Sequence, residues 1–491
     1  MARPAGAADV PVSTPAGLLA AVSAAHPGDR IVLADGTYSF NASVVCSAAG
    51  TAAQPITVAA EHALGARIEF NTLEGFRVSG ANWHFEGLDI HGVCADDNDC
   101  EHAFHITGAA DGYVIRGNRV VDFNAQIKVN AAAVGGVNEA PDDGLVEYNE
   151  FFDTHVRQTA DPVTKVNIDS GDRIVVRGNY IHDFAKGGAD GISYGSFLKS
   201  GGRGGLYERN LVVCQQSFTG GTRIGLSFGG GGTGAQYCAP AYDAGVPCDP
   251  EHTDGIMRNN IIASCSDVGI YLNKAANTKL LFNTLIATSG IDFRYPSSTG
   301  IAVGNVLAGS IHQRDGATFT GTDNLINVTT FGAMYQAPAV GDLRLKGDVS
   351  ALLGQAAARV DVPDDYCGRT RTAPYDLGAL QSSLGDCDTV PPPVAVAQDG
   401  GPTDAGPADA GPADAGVTNE PDAGPSDAGN AGTPDSGAPQ LDGGQSSADA
   451  GSGAAEVSGG CGCGTGSRGA PVGWGLVIAA VLAFRRRARA A

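Results

Sequence analysis

The feature that most constrains the fold of this chain is an asparagine that returns eight times in one local frame. An apolar run precedes this asparagine and another follows it, at Asn118, Asn149, Asn179, Asn210, Asn260, Asn283, Asn305 and Asn324. The successive intervals are 31, 30, 31, 50, 23, 22 and 19 residues, so the base period is close to 22, with insertions in the earlier repeats. A period of about 20 to 50 residues is typical of a solenoid.

The segments between these asparagines predict the type of solenoid. They are short runs of β-branched and aromatic residues separated by turn residues, without helical periodicity. The 71 glycines agree with a fold rich in turns. We therefore predict an all-β, right-handed parallel β-helix whose coils pair at about 4.8 Å. Asparagine tolerates the left-handed backbone region of a bend, and stacked amides can bond along the axis, so we interpret these residues as structural.

Composition divides the chain into four parts. Residues 1–12 lack an apolar signal core and are interpreted as the remnant of an export region that begins upstream. Residues 13–387 form the predicted β-helix domain, and its first segment, with Pro15 after Ser13-Thr14 and Pro27-Gly28 at its end, predicts a short N-terminal cap helix. Residues 388–460 are rich in Asp, Ala, Gly and Pro, and residues 461–491 form a tail.

The last two parts indicate a tethered protein. Residues 388–458 carry 12 acidic and no basic residues, which predicts a disordered spacer. The tail contains Cys461-Gly-Cys463, the apolar residues 469–484 and then Arg485–Arg487, an order that predicts an apolar anchor with a cytoplasmic basic end. This tail resembles the C-terminal sorting segment of myxobacterial surface proteins. The resemblance implies an exported protein anchored at the cell surface or outer membrane.

The cysteines also favour export. Cys94 and Cys100 bracket an acidic loop, and Cys238 and Cys248 bracket a Pro/Gly loop, so we expect a disulfide within each pair. For Cys214 and Cys265, which fall at similar points of two repeats, free buried thiols are more plausible than for the loop pairs. Cys46, Cys367 and Cys387 are left unassigned, with one odd thiol among these nine.

The charge excludes one class of partner. The chain has a formal net charge of −22, so it lacks the basic surface that nucleic-acid binding requires. We expect a monomer.

A strip of basic residues is the main candidate binding site. Residues at one point of the repeat stack in successive coils, and the runs GSFLKS, GLSFGG, GIYLNK, GIDFRY and SIHQRD precede successive loops. Their fifth positions are Lys199, Gly229, Asn273, Arg294 and Arg314, and their sixth positions are Ser200, Gly230, Lys274, Tyr295 and Asp315. Glycine lets a ligand approach the backbone, and a groove lined by lysine and arginine suits an anionic polymer. Solubilising charges at strand ends are the plain alternative.

The residues around this strip resemble a known family. Segment 273–309, from Asn273 through NTLIATSGIDFRYP, and segment 17–38 resemble the chondroitinase B/alginate lyase family of β-helical polysaccharide lyases. The resemblance implies β-elimination on a uronate-containing glycan. Lys274 would be the base that removes the C5 proton, and Arg294 would stabilise the developing negative charge or assist the leaving oxygen. Lys199, Asn273, Tyr295, Arg314, Gly229 and Gly230 would contact the substrate.

Calcium is the one cofactor that the resemblance implies. In calcium-dependent members of the family two acids precede the lysine, whereas this chain has Asp267 and Gly269 at those positions. Glu251 and Asp254, one coil earlier, are the candidate replacements; solvated loop residues are the alternative interpretation.

Two further functions fit the same fold. A non-catalytic glycan-binding protein or adhesin would explain the repeat, the spacer and the tail equally well. A glycoside hydrolase would need two carboxylates in the groove, and Asp292 is the one acid in these coils suited to that role.

Overall fold

The asparagines form one continuous ladder through the interior of the computed structural model, which describes residues 9–230 and 232–390. The Asn149 side-chain oxygen accepts hydrogen bonds from the backbone N–H of Asn118 at 2.9 Å and from its side-chain nitrogen at 3.0 Å. The same pair of bonds joins each ladder residue to the next, through Asn260 to Asn283 and Asn305 to Asn324. The predicted stacking is confirmed.

The bend itself is made by another residue than we predicted. The left-handed backbone belongs to the residue before each ladder asparagine, at Gly117, Tyr148, Gly178, Arg209, Asn259, Phe282, Gly304 and Asp323. The ladder asparagines have ordinary backbone angles, because their amides must point along the axis into the next coil. The tolerance of asparagine for the left-handed region is therefore not the reason for its presence.

Three parallel sheets run along the ladder. Sheet A has twelve strands: Asp9–Val12, Arg30–Leu33, Ile56–Ala60, Trp83–Glu86, Val114–Arg116, Leu145–Glu147, Val175–Arg177, Leu206–Glu208, Ile256–Arg258, Thr278–Leu281, Thr299–Val303 and Thr318–Thr322. Sheet B has ten: Gly36–Phe40, Ala66–Phe70, Asp89–Gly92, Arg119–Val121, Glu150–Phe152, Tyr180–His182, Leu211–Val213, Ile261–Ala263, Thr284–Ile286 and Val306–Leu307. Sheet C also has ten: Val44–Cys46, Glu74–Val78, His102–Thr107, Ala125–Asn130, Val163–Asp169, Ile192–Lys199, Thr222–Phe228, Ile270–Asn273, Gly290–Arg294 and Ser310–Arg314.

Each of ten complete coils contributes one strand to each sheet, and Asp9–Val12 and Thr318–Thr322 extend sheet A at its two ends, which is the architecture of a parallel β-helix. One apolar core fills its interior, from Leu18 near the N-terminus to Leu307 in the last coils. Three minor sheets lie outside sheets A, B and C: Ala132–Val134 with Val137–Glu139, Gly202–Arg203 with His252–Thr253 and Ala275–Ala276, and Tyr335–Ala337 with Asp342–Leu345. Short 3-10 turns occupy Asp97–Asp99, Ala235–Tyr237, Pro338–Val340 and Ser382–Leu384.

The outer face of sheet A carries an alternating series of charges. Glu86, Arg116, Glu147, Arg177, Glu208 and Arg258 are register partners in consecutive coils, and we call them the charge ladder. Arg177 donates to Glu147 at 2.6 Å and to Glu208 at 3.3 Å, so this guanidinium lies between two carboxylates.

The N-terminal end is covered as predicted. The cap helix spans Pro15–Ser23, and the Thr14 hydroxyl accepts from the Gly17 N–H at 3.1 Å. Its buried Leu18 and Val22 close the core. The strand Asp9–Val12 precedes the helix and pairs in parallel with Arg30–Leu33, so the domain begins before residue 13.

The C-terminal residues of the domain leave the coils and cover their flank. The last coil strand is Thr318–Thr322, and the short helix Phe331–Met334 follows. Residues from Phe331 to Leu380 pack on outward-facing residues of sheet B, such as Leu211 and Ile261, and form a second apolar cluster. The coils thus end earlier than the predicted boundary at residue 387.

Within residues 9–230 and 232–390, four disulfides join eight of the nine cysteines, including both predicted loop pairs, Cys94–Cys100 and Cys238–Cys248. Cys214–Cys265 and Cys367–Cys387 are also bonded, and the odd thiol is the buried Cys46. Cys214 and Cys265 lie one register position apart in adjacent coils and are therefore neighbours despite their separation of 51 residues. The alternative of free buried thiols, left open for this pair, is wrong.

The predicted spacer from residue 391 and the tail lie outside the described residues. Within residues 9–230 and 232–390, no helix is long and apolar enough to cross a membrane.

Candidate functional site

The predicted strip lies along one edge of sheet C. Asn273 pairs with Arg294, and Arg294 pairs with Arg314, in consecutive coils. Leu198, Phe228 and Leu272 pair in the preceding coils, which places Lys199 and Gly229 in the same row. We call Lys199, Gly229, Asn273, Arg294 and Arg314 the cationic strip. The register derived from the sequence matches the strand pairing.

The next position in each coil turns the chain away from the sheet. Lys274, Tyr295 and Asp315 all have left-handed backbone, with φ of 59°, 74° and 52°. This conformation is unfavourable for side chains with a Cβ atom, and such residues are often found at functional sites. The turn brings Lys274 and Tyr295 to the border between sheet C and the loops.

Lys274 has two neighbours at this border. Its Nζ lies 3.9 Å from an Asp249 carboxylate oxygen and 5.9 Å from the centre of the Tyr295 ring. The side chain keeps 31% of its surface exposed, so a ligand in the groove can reach the amine. Asp249 comes from the loop that the Cys238–Cys248 disulfide closes.

Arg294 is held in place from three sides. Its Nε donates to Asp315 at 2.6 Å, its Nη1 donates to the Tyr271 hydroxyl at 3.1 Å, and its guanidinium lies 4.8 Å from the Tyr295 ring centre. The hydrogen bond to Asp315 and then the one to Tyr271 raise the pKa of Arg294, which stays charged. Burial raises the pKa of Tyr271, so its hydroxyl keeps its proton near neutral pH. The site therefore has a permanent positive charge in a fixed orientation.

Asn273 lies beneath this arginine. Its Nδ2 donates to the Tyr271 hydroxyl at 3.2 Å, whereas its Oδ1 is buried and lacks a hydrogen-bond partner. A buried amide oxygen without a hydrogen-bond partner destabilises the fold. Such unsatisfied groups are common at functional sites.

Arg314 belongs to a second group one coil further on. Its Nη1 donates to Asp292 at 2.5 Å, and the other oxygen of Asp292 lies 2.9 Å from His312 Nδ1. The side chain of Asp292 is 6% exposed. Asp292 is thus the shared acceptor of two side chains.

The glycines open the middle of the strip. A Cβ atom on Gly229, whose φ is 75°, would collide with the Asn273 carbonyl oxygen, and one on Gly230 would meet the Lys199 side chain. Gly231 lies outside the described residues, and a Cβ on Gly232 would meet open space. Glycine is therefore required at Gly229, whereas a Cβ at Gly230 would only displace the flexible Lys199 side chain; the bare backbone of both borders the groove.

Lys199 marks the other side of this opening. Its Nζ lies 3.3 Å from Asp169, which Lys128 also contacts. Burial alone would raise the pKa of Asp169, but the charges of Lys128 and Lys199 outweigh burial and lower it. One carboxylate thus contacts two lysines at this end of the strip.

The three acids proposed for calcium have other roles. Glu251 is buried, and its carboxylate accepts from the Gly230 N–H at 3.2 Å and from the Thr233 hydroxyl at 3.1 Å. Asp254 accepts from the Asn277 amide at 2.5 Å, and Asp267 lies in the turn beside Arg223. The described residues contain no group of three or more His, Cys, Asp or Glu side chains that could hold a metal ion. These acids do not fit a calcium site, so we derive no step through calcium.

Sequence reasoning missed Tyr271, His312 and Asp249. Tyr271 and His312 precede strip residues by two positions, and alternation along a strand puts such residues on the same face. That signal was available in the runs GIYLNK and SIHQRD. Asp249 comes from a long insertion, for which the repeat gives no register.

One family model matches part of the chain. Residues 3–190 match the model described as Pel9A-like, right handed beta helix region. Together with the three parallel sheets, this match confirms the predicted right-handed parallel β-helix. No curated protein matches the chain.

Several solved structures are similar. The chain is 16% identical to an alginate lyase from Paenibacillus sp. str. FPU-7, with a TM-score of 0.36 and coverage of 65% of this chain and 99% of that one. It is 12% identical to pectate lyase Pel9A, with a TM-score of 0.44, and the match covers 76% of this chain and 96% of that one. It is 12% identical to the A-module of the Azotobacter vinelandii mannuronan C-5 epimerase AlgE6, with a TM-score of 0.41, and the match covers 65% of this chain and 91% of that one.

Proposed function

We propose that this protein is a polysaccharide lyase that cleaves an anionic, uronate-containing glycan by β-elimination. The observation that carries the proposal is the arrangement of Lys274 and Arg294. They lie in adjacent coils and both approach the Tyr295 ring, at 5.9 and 4.8 Å from its centre, and the strip they border includes the bare backbone of Gly229 and Gly230.

The chemistry requires a base and a positive charge near one sugar ring. Lys274 takes the C5 proton, which is acidic because the neighbouring carboxylate delocalises the resulting negative charge. Arg294 stabilises that charge, and its bonds to Asp315 and Tyr271 fix its orientation before the substrate arrives. Tyr295 offers a ring face to the sugar, and Lys199 and Arg314 contact acidic groups further along the chain.

A second candidate is a glycan-binding protein without catalysis. One observation favours it: each cation near the proposed centre already has a carboxylate partner. Lys274 faces Asp249, Arg294 bonds Asp315, and Arg314 bonds Asp292. A nearby carboxylate favours the ammonium form of a lysine, and in that form the side chain cannot accept a proton.

A panel of acidic polysaccharides, monitored by the ultraviolet absorbance of unsaturated uronate, separates these functions. If the protein is a lyase, we expect an absorbance increase that Lys274→Ala abolishes. The control Lys279→Ala, which replaces a lysine on sheet A, should leave the increase unchanged. Binding that Lys199→Ala or Arg294→Ala weakens, without any absorbance increase from the wild type, would identify a binding protein. New reducing ends without absorbance would identify a hydrolase. That outcome is disfavoured because Asp292 is already bonded to His312 and Arg314.

We also propose that the protein is exported and anchored at the cell surface. Four disulfides support an oxidising location, since cytosolic proteins rarely keep them. Fractionation of the producing cells should find the full-length protein with the envelope; recovery of reduced protein from the cytosol would contradict this.

A further inference from the structure

Asp292 and His312 form a carboxylate–imidazole pair on the face of sheet C, in adjacent coils. They are register partners in the strands Gly290–Arg294 and Ser310–Arg314. His312 Nδ1 lies 2.9 Å from Asp292 Oδ1, and Asp292 Oδ2 accepts from Arg314 at 2.5 Å. A carboxylate only accepts, so Nδ1 carries the hydrogen of this bond.

This bond determines which nitrogen of His312 is available. With the proton on Nδ1, Nε2 is the nitrogen that exchanges a proton with a ligand. Within residues 9–230 and 232–390, no hydrogen bond engages Nε2, and the His312 side chain is 45% exposed. A histidine that only completed the packing would be buried or have both nitrogens bonded, as His105 does with Glu74 and Asn130.

The position of His312 relative to Lys274 matters for the reaction. Arg294 lies one coil beyond Lys274, and His312 lies one coil beyond Arg294. Two coil steps are about 9.6 Å along the axis, and His312 lies two strand positions before the row of Arg294 and Arg314. In coil order Arg294 lies between Lys274 and His312, so a sugar whose carboxylate bonds Arg294 has an amine in the coil on one side and an imidazole in the coil on the other.

We propose that His312 is the acid of the β-elimination and that Asp292 is its positioning residue, an inference that rests on the proposed lyase function. Lys274 takes the C5 proton, the C4–O4 bond breaks as the C4=C5 double bond forms, and O4 receives the Nε2 proton of the imidazolium. The two proton transfers balance, since solvent later removes the proton from Lys274 and returns one to His312.

Charged groups of both signs surround His312. Asp292 contacts its ring, Arg314 bonds the same carboxylate, and Arg294 lies in the adjacent coil. Tyr271, the register partner of Asp292 on the other side, is uncharged near neutral pH. An imidazole is the side chain that ordinarily gains and loses a proton between about pH 5 and 8, as an acid that turns over must.

The test compares two substrates with His312→Gln. One is the polysaccharide that wild type cleaves, and the other is a uronate whose O4 carries a 4-nitrophenyl group, which leaves without a proton. On the polysaccharide we expect kcat to fall about 10²-fold or more with KM nearly unchanged. On the nitrophenyl substrate we expect less than a few-fold loss. Gln313→Ala, on the same strand, should match the wild type on both.

Other outcomes overturn the inference. An equal loss of kcat on both substrates, or a change in KM alone, would show that His312 acts in binding or in structure. Wild-type activity that His312→Gln leaves intact would reject His312 while retaining the lyase; wild type inactive on both substrates would reject both proposals.

A second measurement does not depend on turnover. Nitrogen-15 NMR of His312 in the wild type should show the neutral ring protonated at Nδ1, and Asp292→Asn should lose that preference. A ring protonated mainly at Nε2 in the wild type would contradict the role of Asp292 and, with it, the proposal.

Discussion

The charge ladder of sheet A and the cationic strip of sheet C run in parallel along the same coils with opposite charge patterns. In the ladder the sign alternates at every coil, and Arg116 and Arg177 each lie between two glutamates. In the strip, Arg294 and Arg314 are direct register partners. Like charges in adjacent strands destabilise a sheet, whereas opposite charges stabilise it. The cations of the ladder are paired with carboxylates of the same row, whereas Arg294 and Arg314 of the strip are paired with Asp315 and Asp292, which lie outside their row.

The largest effect should follow loss of the central cation of the strip. We expect Arg294→Met to lower kcat on the cleaved polysaccharide by about 10²- to 10³-fold, because a fixed charge at the developing enolate is removed. Its stability should change by less than about 0.5 kcal/mol, since the Arg294–Arg314 contact is relieved as the bond to Asp315 is lost. Arg177→Met, the matched change in the ladder, should keep full activity and lose stability. The reverse pattern in kinetics and urea unfolding would contradict the comparison.

The next effect concerns the ladder alone. Glu208 is buried and accepts from Arg258 at 2.6 Å and from Arg177 at 3.3 Å. We expect Glu208→Ala to lower the free energy of unfolding by about 2 kcal/mol, between the values for exposed and fully buried pairs, because two arginines lose their shared partner. Asp143→Ala, which removes the exposed partner of Arg173, should cost less than about 1 kcal/mol. Equal costs measured by urea unfolding would show that the ladder is only surface charge.

A smaller effect should appear as pH dependence near the strip. Burial lowers the pKa of His252 to about 3, and its ring stacks on Phe228 at 4.2 Å. An unfolded histidine titrates near pH 6.5, so between about pH 6.5 and 3 the unfolded chain binds a proton that the folded chain excludes. The free energy of unfolding should therefore fall as the pH falls through this window.

The variant His252→Phe keeps the stacking and removes the titrating group. Its stability should depend on pH less steeply, by up to about 1.4 kcal/mol per pH unit. Burial, followed by the charge of Arg116, lowers the pKa of His84 beside the ladder to about 4, so His84→Phe should have the same effect over a narrower range. Unfolding curves at several pH values would test both, and unchanged slopes would contradict the assignment.

The smallest effect should come from the far end of the strip. Lys199 lies two coils before Asn273. When Lys199 is replaced, Asp169 still forms its ion pair with Lys128. We expect Lys199→Met to raise KM a few-fold with kcat nearly unchanged, since the contact is the same in ground and transition states. Lys279→Met on sheet A should change neither constant. A large fall in kcat would place the catalytic centre nearer to Lys199 than to Lys274.

The sequence predicted the contacts that follow from the repeat, but few of the contacts that the insertions make. The asparagine frame predicted the pairing of Asn273, Arg294 and Arg314, because a solenoid converts sequence interval into spatial order. The approach of Asp249 to Lys274 depends on a disulfide-closed insertion without a periodic signal. Applied to Cys214 and Cys265, the stacking rule would have predicted their bond. The Asp292–His312 contact also followed from register, but only when the position two residues before the strip was considered.

The asparagine ladder also has a genetic consequence. Each asparagine donates its backbone N–H and its Nδ2 to the Oδ1 of the next, whether the interval is 19 or 50 residues. The ladder therefore accommodates segments of different lengths, from 19 to 50 residues, between successive asparagines. Tandem duplication of one unit, such as residues 261–283, would add a coil without changing either flanking junction. Growth of the gene by whole units could lengthen the groove while every existing asparagine kept its neighbours.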